Sequence, residues 1–127
     1  MVQAHIEHVN LTVSDIERTA QMLMSIFGWR IRWRGLAADG GSTIHVGADR
    51  DYLAVYMEPG GASAPKGHAK GRPLNHVGVE VDDLEATEDR VKRLGLKPFG
   101  HGDYEPGRRF YFFDHDGIEY EVVAYAS

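Results

Sequence analysis

The chain has 127 residues and a mass of 14.2 kDa, which suits one compact domain with its own hydrophobic core. A formal net charge of −5 and a pI near 5.7 leave no excess of Lys and Arg to neutralise phosphates, so nucleic acid is not an expected partner. The absence of cysteine excludes disulfides, thiolate chemistry and cysteine-bound zinc, so a metal ion would have to be held by His and carboxylate side chains.

The N-terminal segment predicts neither a signal peptide nor a membrane anchor. MVQAHIEH is polar from its start and lacks the charged and then apolar order of a secretory signal. No apolar run in the chain approaches the roughly 20 residues that a membrane-spanning helix needs. We therefore expect a cytoplasmic protein with no membrane partner.

A strand and a helix are predicted first. The strand alternates between two sets of residues, the apolar Val9, Leu11 and Val13 and the polar His8, Asn10 and Thr12. Ser14 with Glu17 predicts a capping box at the start of the helix, and Gly28 predicts its end. The apolar stripe of this helix comprises Ile16, Ala20, Leu23, Met24 and Phe27.

Three further strands and a linker follow. The strands are predicted over residues 29–34, 42–46 and 52–58. The segment PGGASAPKGHAKGRP, residues 59–73, is rich in Gly, Ala and Pro and predicts a loop or linker. It could be a passive connector or a lid that carries Lys66, His68, Lys70 and Arg72.

The second half of the sequence repeats the first. An offset of 68 residues aligns His8 with His76, and the same offset aligns Ile6 with Leu74, Val9 with Val77, Val13 with Val81 and Asp15 with Asp83. Asp82 with Glu85 predicts the start of a second helix, and Gly95 predicts its end. Its apolar stripe comprises Leu84, Thr87, Val91 and Leu94.

Each half therefore predicts the element order βαβββ, in a single domain spanning residues 1–127. The last three strands of the second half are predicted over 97–99, 109–113 and 118–125, and the DHDG turn joins the final two as a hairpin. The expected architecture is an α+β fold, with module one at 4–58, a linker at 59–73 and module two at 74–127.

Three residues are candidate metal ligands. His8 and His76 hold equivalent positions in the two copies, and Glu121 lies in the last predicted strand. Two imidazoles and one carboxylate suit Fe(II), Zn(II), Mn(II) or Ni(II). Matching DRDYLAVY to DHDGIEYEVV places Ala54, which cannot bind a metal, at the position equivalent to Glu121. A strand histidine alone is more often structural, so the prediction depends on the repetition together with Glu121.

Other side chains could line a site around these ligands. Strand alternation places Tyr52 and Tyr56 on the face of Ala54, and the predicted loop before residue 109 offers His101, Tyr104, Arg108 and Arg109. Packing or ordinary surface polarity would also explain these residues. As candidate catalytic residues we select Tyr56, His101 and Arg109; no residues for a further cofactor are predicted.

Three motifs resemble those of the vicinal oxygen chelate superfamily, which includes glyoxalase I, extradiol dioxygenases and bleomycin-resistance proteins. They are HVNLTVSDIERT, NHVGVEVDDLEA and YFFDHDGIEYEVV, the last similar to the family ending FxDPDGxxxE with His115 in place of proline. The resemblance spans essentially the whole chain and implies a U-shaped cleft with ligands from the first and last strands of each module. His8, His76 and Glu121 match three of these positions, whereas Ala54 stands where glyoxalase I carries glutamate.

The resemblance implies two alternative functions. One is a metal-dependent enzyme in which a single divalent ion chelates neighbouring oxygens of a small substrate, with an extradiol-dioxygenase-like site of two His and one carboxylate, for dioxygenase, lyase or isomerase chemistry. The other is a metal-free protein that sequesters a drug, as bleomycin-resistance proteins do. By analogy with the family, a homodimer is expected in either case.

Overall fold

The first half of the chain folds as a four-stranded sheet with one helix. The computed structural model describes residues 3–60, 73–104 and 107–125, and the chain divides into two compact units, Met1–Pro65 and Lys66–Ser127. The elements of unit one are β1 (His8–Thr12), α1 (Ile16–Phe27), β2 (Arg30–Leu36), β3 (Ser42–Gly47) and β4 (Tyr52–Met57). In the order β1-β4-β3-β2, β1 pairs parallel with β4 and the other neighbours are antiparallel.

The second half repeats this arrangement. Its elements are β5 (Val77–Glu80), α2 (Leu84–Arg93), β6 (Phe99–Tyr104), β7 (Gly107–Phe113) and β8 (Glu119–Tyr125). The sheet order is β5-β8-β7-β6, with β5 parallel to β8 and the other neighbours antiparallel. The predicted α+β fold with two βαβββ modules is therefore confirmed. Among the described residues, neither helix is long and apolar enough to span a bilayer.

Each helix covers one face of its own sheet. Helix α1 packs on β3 and β4, and α2 packs on β7 and β8. The buried sheet residues are Ile44, Val46, Leu53 and Val55 in unit one, and Phe110, Phe112, Tyr120 and Val122 in unit two. Fully burying one large apolar side chain contributes about 1.5–3 kcal/mol, so these layers stabilise each unit. Because side chains alternate along a strand, the residues between them lie on the opposite face.

Both helices begin one residue later than the sequence predicted. The N-cap residues are Asp15, whose side chain accepts from the Arg18 N–H at 3.1 Å, and Asp83, which accepts from the Ala86 N–H at 3.0 Å. The predicted capping boxes starting at Ser14 and Asp82 are wrong. An aspartate three residues before the donor satisfies the first turn in both cases, as expected for an N-cap.

The sequence predicted the ends and the apolar stripes of the two helices only in part. Gly28 caps α1 at φ 71°, and Gly95 follows α2 at φ 79°, in the left-handed region that favours glycine. Leu94 is the C-cap of α2 and is 39% exposed, so its predicted place in the apolar stripe is wrong. In α1 the prediction missed Met22 and Ile26, which are both buried.

The structure corrects the second-module strand that was predicted over 97–99. Strand β6 instead spans Phe99–Tyr104, and its pairing with β7 shifts register between Phe99 and Gly102. Gly100 within the shift has φ 66°. These glycines weaken the strand signal in the sequence. The predicted loop before residue 109 is therefore mostly the end of β6 and the start of β7.

The DHDG turn forms the predicted hairpin, and its first aspartate stabilises it. The Gly117 N–H donates to the Asp114 carbonyl at 3.1 Å, and Gly117 has φ 81°. The Asp114 carboxylate is buried and accepts from the N–H groups of Asp116 and Ile118 and from the Tyr120 hydroxyl. Burial raises the pKa of Asp114, and the backbone donors oppose that rise.

The repeated N-caps give a direct test of helix stabilisation. We expect Asp15→Ala and Asp83→Ala each to lower the free energy of unfolding by about 1 kcal/mol, because the first-turn N–H loses its acceptor. Urea denaturation followed by circular dichroism measures the change. Asp15→Ser and Asp83→Ser keep an acceptor and should retain most of the stability. Alanine variants as stable as the serine variants would contradict the capping assignment.

Candidate functional site

The face of the second sheet opposite α2 carries a cluster of polar and aromatic side chains. Glu121 on β8 pairs with Tyr111 on β7 and with Gly78 on β5. His76 directly precedes β5, and Arg109 lies two residues before Tyr111 on the same strand face. The parallel pairing of β5 with β8 therefore places a histidine beside an acid that is 45 positions later in the sequence.

Glu121 binds both His76 and Arg109. His76 Nε2 lies 2.9 Å from Glu121 Oε1, and Arg109 Nη1 donates to Oε2 at 2.8 Å. The side chains of Arg109 and Glu121 are only 12% and 13% exposed, so bulk water screens this ion pair weakly. The two contacts fix both oxygens of one carboxylate.

Arg109 is also held on its other sides. Its Nη2 donates to the Gly107 carbonyl at 3.3 Å, and the guanidinium carbon lies 4.7 Å from the centre of the Tyr104 ring. Burial lowers the pKa of Arg109, but the Glu121 hydrogen bond and nearby negative charge leave it above its ordinary value. The buried Nε has no hydrogen-bond partner among the described residues. Such an unsatisfied donor is typical of a site that a bound molecule or water completes.

The other edge of the His76 ring faces oxygens. Its Nδ1 lies 2.7 Å from Asn75 Oδ1 and 3.7 Å from Glu119 Oε2. Tyr111 meets the ring edge to face, with centroids 5.8 Å apart and planes at 88°. Burial, followed by the negative charge of Glu121, raises the pKa of Tyr111. His76 is therefore positioned by contacts on both ring nitrogens and by the edge-to-face contact with Tyr111.

The equivalent face of the first sheet carries stacked rings. His8 and His45 both stack on Tyr52, with centroids 4.9 and 4.5 Å away, and Trp33 lies 4.9 Å from His45. The Arg32 guanidinium lies 4.5 Å from the centre of the Tyr52 ring. Burial lowers the pKa of His45, and repulsion from His8 and Arg32 lowers it further. Stacked rings dominate this face, whereas buried ion pairs dominate the corresponding face of unit two.

Strand register supports the equivalence of Ala54 and Glu121. Ala54 pairs with Asn10 on β1, and Glu121 pairs with Gly78 on β5. Asn10 and Gly78 are separated by the same offset of 68 that relates the two modules. Ala54 is 2% exposed and presents only a methyl group where unit two has a carboxylate.

The comparisons with known proteins agree with this duplicated geometry. The sequence model of the Glyoxalase/Bleomycin resistance protein/Dioxygenase superfamily matches residues 5–122. The chain belongs to this superfamily. The resemblance inferred from the three motifs is therefore confirmed. The comparison with curated proteins finds no match.

Solved structures of the superfamily share the fold at low sequence identity. A glyoxylase/bleomycin resistance protein/dioxygenase domain from Frankia sp. EAN1pec is 22% identical with a TM-score of 0.83, over 98% of this chain and 100% of that one. FosX, a fosfomycin resistance protein from Listeria monocytogenes, was solved as a mutant in complex with Mn(II) and 1S,2S-dihydroxypropylphosphonic acid. It is 18% identical with a TM-score of 0.76, over 98% of this chain and 93% of that one. FosX from Mesorhizobium loti is 22% identical with a TM-score of 0.69, over 99% and 95%.

A superfamily metal site would draw on His8, His76 and Glu121. Within unit two, His76 and Glu121 are in contact, and His8 lies on the corresponding face of unit one. Over residues 3–60, 73–104 and 107–125, no group of three or more His, Asp or Glu side chains is arranged to hold a metal ion. The centre formed by His8, His76 and Glu121 stays a prediction. The contact between His76 and Glu121 is compatible with two of its three ligands.

The three predicted catalytic residues lie in different surroundings. Arg109 contacts Glu121, as described above. His101 lies on the helix side of unit two, 3.0 Å from Glu88 Oε2, with its ring stacked on Phe110. Tyr56 donates a short hydrogen bond to Asp39 in the turn between β2 and β3. Of the three, only Arg109 joins the His76–Glu121 cluster, and catalytic roles for all three stay predictions.

Some residues of interest were missed by the sequence reasoning. Glu7 lies 2.9 Å from His8 Nδ1, as Asn75 lies beside His76 Nδ1, and the two residues are related by the 68-residue offset. That offset could have identified them, but their residue types differ. Asp39 lies in the turn between β2 and β3, and nothing in the sequence pattern indicated its contact with Tyr56. Lys66, His68, Lys70 and Arg72 of the linker fall outside the described residues.

The Tyr56–Asp39 contact predicts a shifted phenol titration. The hydrogen bond to Asp39, followed by burial, raises the pKa of Tyr56 to about 12. In Asp39→Asn the negative charge is gone, so the pKa should fall toward its ordinary value of about 10. Carbon-13 NMR of labelled tyrosine, followed to pH 11, measures the difference. Because the folded pKa is raised, this phenol stabilises the fold below about pH 10 and loses that contribution as the pH rises toward 12. Equal titration in both proteins would contradict the contact.

Proposed function

We propose that this chain is a divalent-metal-dependent enzyme that chelates neighbouring oxygens of a small organic substrate. The observation that carries the proposal is the 2.9 Å contact between His76 Nε2 and Glu121 Oε1 on the face of the second sheet opposite α2. In the proposed enzyme His8, at the equivalent position of the other module, supplies the third ligand. The ion would be Fe(II), Zn(II), Mn(II) or Ni(II), with dioxygenase, lyase or isomerase chemistry.

The donor atoms suit such an ion. Metal bonds to histidine nitrogen and carboxylate oxygen are about 2.0–2.2 Å long, so two ligands at right angles lie about 3 Å apart. The distance between Nε2 and Oε1 agrees with this spacing. Two imidazoles with one carboxylate also match the ligand set of non-haem Fe(II) enzymes. Ala54 adds no donor, which would leave positions for substrate oxygens.

Residues of this chain would prepare the site in separate ways. When bound, the metal supplies Lewis acidity, which stabilises negative charge on substrate oxygens. Arg109 holds Glu121 Oε2 at 2.8 Å and thereby fixes the direction of Oε1. The unsatisfied Nε of Arg109 is a candidate donor to an anionic substrate group. Tyr111 packs against the His76 ring and limits its rotation.

Metal titration tests the proposal. We expect the wild-type chain to bind one Mn(II) or Zn(II) ion in isothermal titration calorimetry, and His8→Ala, His76→Ala and Glu121→Gln each to lose more than about a hundredfold in affinity. Removing a residue that hydrogen-bonds to a metal ligand typically lowers metal affinity about 10–100-fold, and these variants remove the ligand itself. His115→Ala is the matched control, because His115 is exposed in a turn. A wild-type chain that binds no divalent ion, or variants that bind as the control does, would contradict the proposal.

The aromatic face of unit one favours a second candidate, a metal-free drug-binding protein. Trp33 is 49% exposed beside His45 and Tyr52, and such a surface can stack on a flat ring. Glu121 also has both oxygens engaged, one by His76 and one by Arg109.

A fluorescence titration separates the two candidates. Under the drug-binding alternative, bleomycin should quench the tryptophan fluorescence of metal-free wild type, and Trp33→Ala should weaken binding about tenfold, the loss of one stacking contact of about 1–1.5 kcal/mol. Trp29→Phe, outside the stack, is the control. Under the enzyme proposal, metal-free protein does not bind bleomycin.

Cytoplasmic location and a homodimer also remain proposals. Light scattering measures the oligomeric state.

A further inference from the structure

The residue before each repeated histidine places an oxygen on the same ring nitrogen. In unit one Glu7 Oε1 lies 2.9 Å from His8 Nδ1, and in unit two Asn75 Oδ1 lies 2.7 Å from His76 Nδ1. Glu7 and Asn75 are themselves 68 positions apart. The same contact therefore occurs in both copies of the module, although the two residues differ in charge.

This contact selects one of two forms of the imidazole. A neutral imidazole carries its proton on Nδ1 or on Nε2, and the nitrogen without the proton can bind a metal. An ionised carboxylate only accepts hydrogen bonds, so Glu7 favours the proton on His8 Nδ1. The carbonyl oxygen of Asn75 does the same for His76. In unit one Nε2 is then left with its lone pair.

We propose that Glu7 and Asn75 are positioning residues that hold His8 and His76 with the proton on Nδ1 and reserve Nε2 for a metal ion. The part of this inference that concerns metal binding rests on the proposed function. The part that concerns the position of the proton does not, because it follows from contacts within each unit.

Further contacts hold the His8 ring in plane. The Tyr52 hydroxyl donates to the same Glu7 oxygen at 3.3 Å, while its ring stacks on His8 with planes only 12° apart. Glu7 therefore fixes the edge of the His8 ring and also anchors the tyrosine that covers its face.

In unit two the contacts of the histidine ring differ from those in unit one. Both His76 nitrogens face oxygens, since Nε2 contacts Glu121 at 2.9 Å while Nδ1 contacts Asn75 at 2.7 Å. Each oxygen can accept a hydrogen bond from the nitrogen that it faces. With a metal ion held by Nε2 and Glu121, Asn75 would accept the Nδ1 proton. His8 is therefore the clearer reporter of the proton position before metal is added.

Nitrogen-15 NMR of metal-free, histidine-labelled protein tests the proton position. At about pH 8.5, where ordinary imidazoles are neutral, we expect wild-type His8 to carry its proton on Nδ1. In Glu7→Leu the proton should move to Nε2, the form that prevails in free histidine. Glu7→Gln keeps a carbonyl acceptor and should retain the Nδ1 proton. A wild-type His8 with its proton on Nε2, or a Glu7→Leu variant unchanged from wild type, overturns the inference.

Metal affinity tests the consequence. With Zn(II) as the probe, Glu7→Leu and Asn75→Leu should each bind about 10–100-fold more weakly than wild type, the usual cost of removing a hydrogen-bonded partner of a ligand. Glu7→Gln and Asn75→Asp should restore most of the affinity. Glu58→Leu, which removes an exposed carboxylate after β4, is the control for lost charge.

The two proposals fail in different ways. A wild type that binds no metal, but in which the His8 proton lies on Nδ1, defeats the proposed function and supports the positioning role. If the Glu7→Leu and Asn75→Leu variants bind Zn(II) as tightly as the wild type does, the metal site is supported and the positioning role is overturned.

Discussion

The parallel pairing of the first and last strands within each module is the constraint on which the candidate site depends. It places a residue near the start of β1 or β5 beside residues more than 40 positions later, on β4 or β8. The helix between them covers one face of the sheet and directs the alternate side chains to the other. Without this pairing His76 and Glu121 would be ordinary strand residues with no common partner.

Duplication has kept the backbone of the two modules, but the side chains on the sheet face opposite the helix differ between them. In unit two Glu121 is enclosed by an arginine and a histidine, and the face carries charge. In unit one the corresponding strands carry Tyr52, His45 and Trp33 in contact with one another. A charged face favours an ion or an anionic group, whereas a stacked face favours a planar one.

The sequence predicted the fold well because periodicity and duplication reinforce one another. Val9, Leu11 and Val13 and their repeats identify strands, and the offset of 68 aligns the first strand and the helix start of the two modules. Strand β6 was misplaced because Gly100 and Gly102 interrupt its pattern. For the site, the sequence indicated His8, His76 and Glu121 as one set of ligands and Arg109 as a separate candidate. It could not reveal that Arg109 binds Glu121 or that Glu7 contacts His8, because those contacts depend on rotamers and strand register.

The alanine at position 54 has a consequence for how this protein could have diverged. Its methyl group is buried on β4 beside His45, at the place that Glu121 holds in the other module. Alanine and glutamate codons can differ by a single base. The number of carboxylates at these two equivalent strand positions is thus decided at one codon, while the surrounding sheet stays the same.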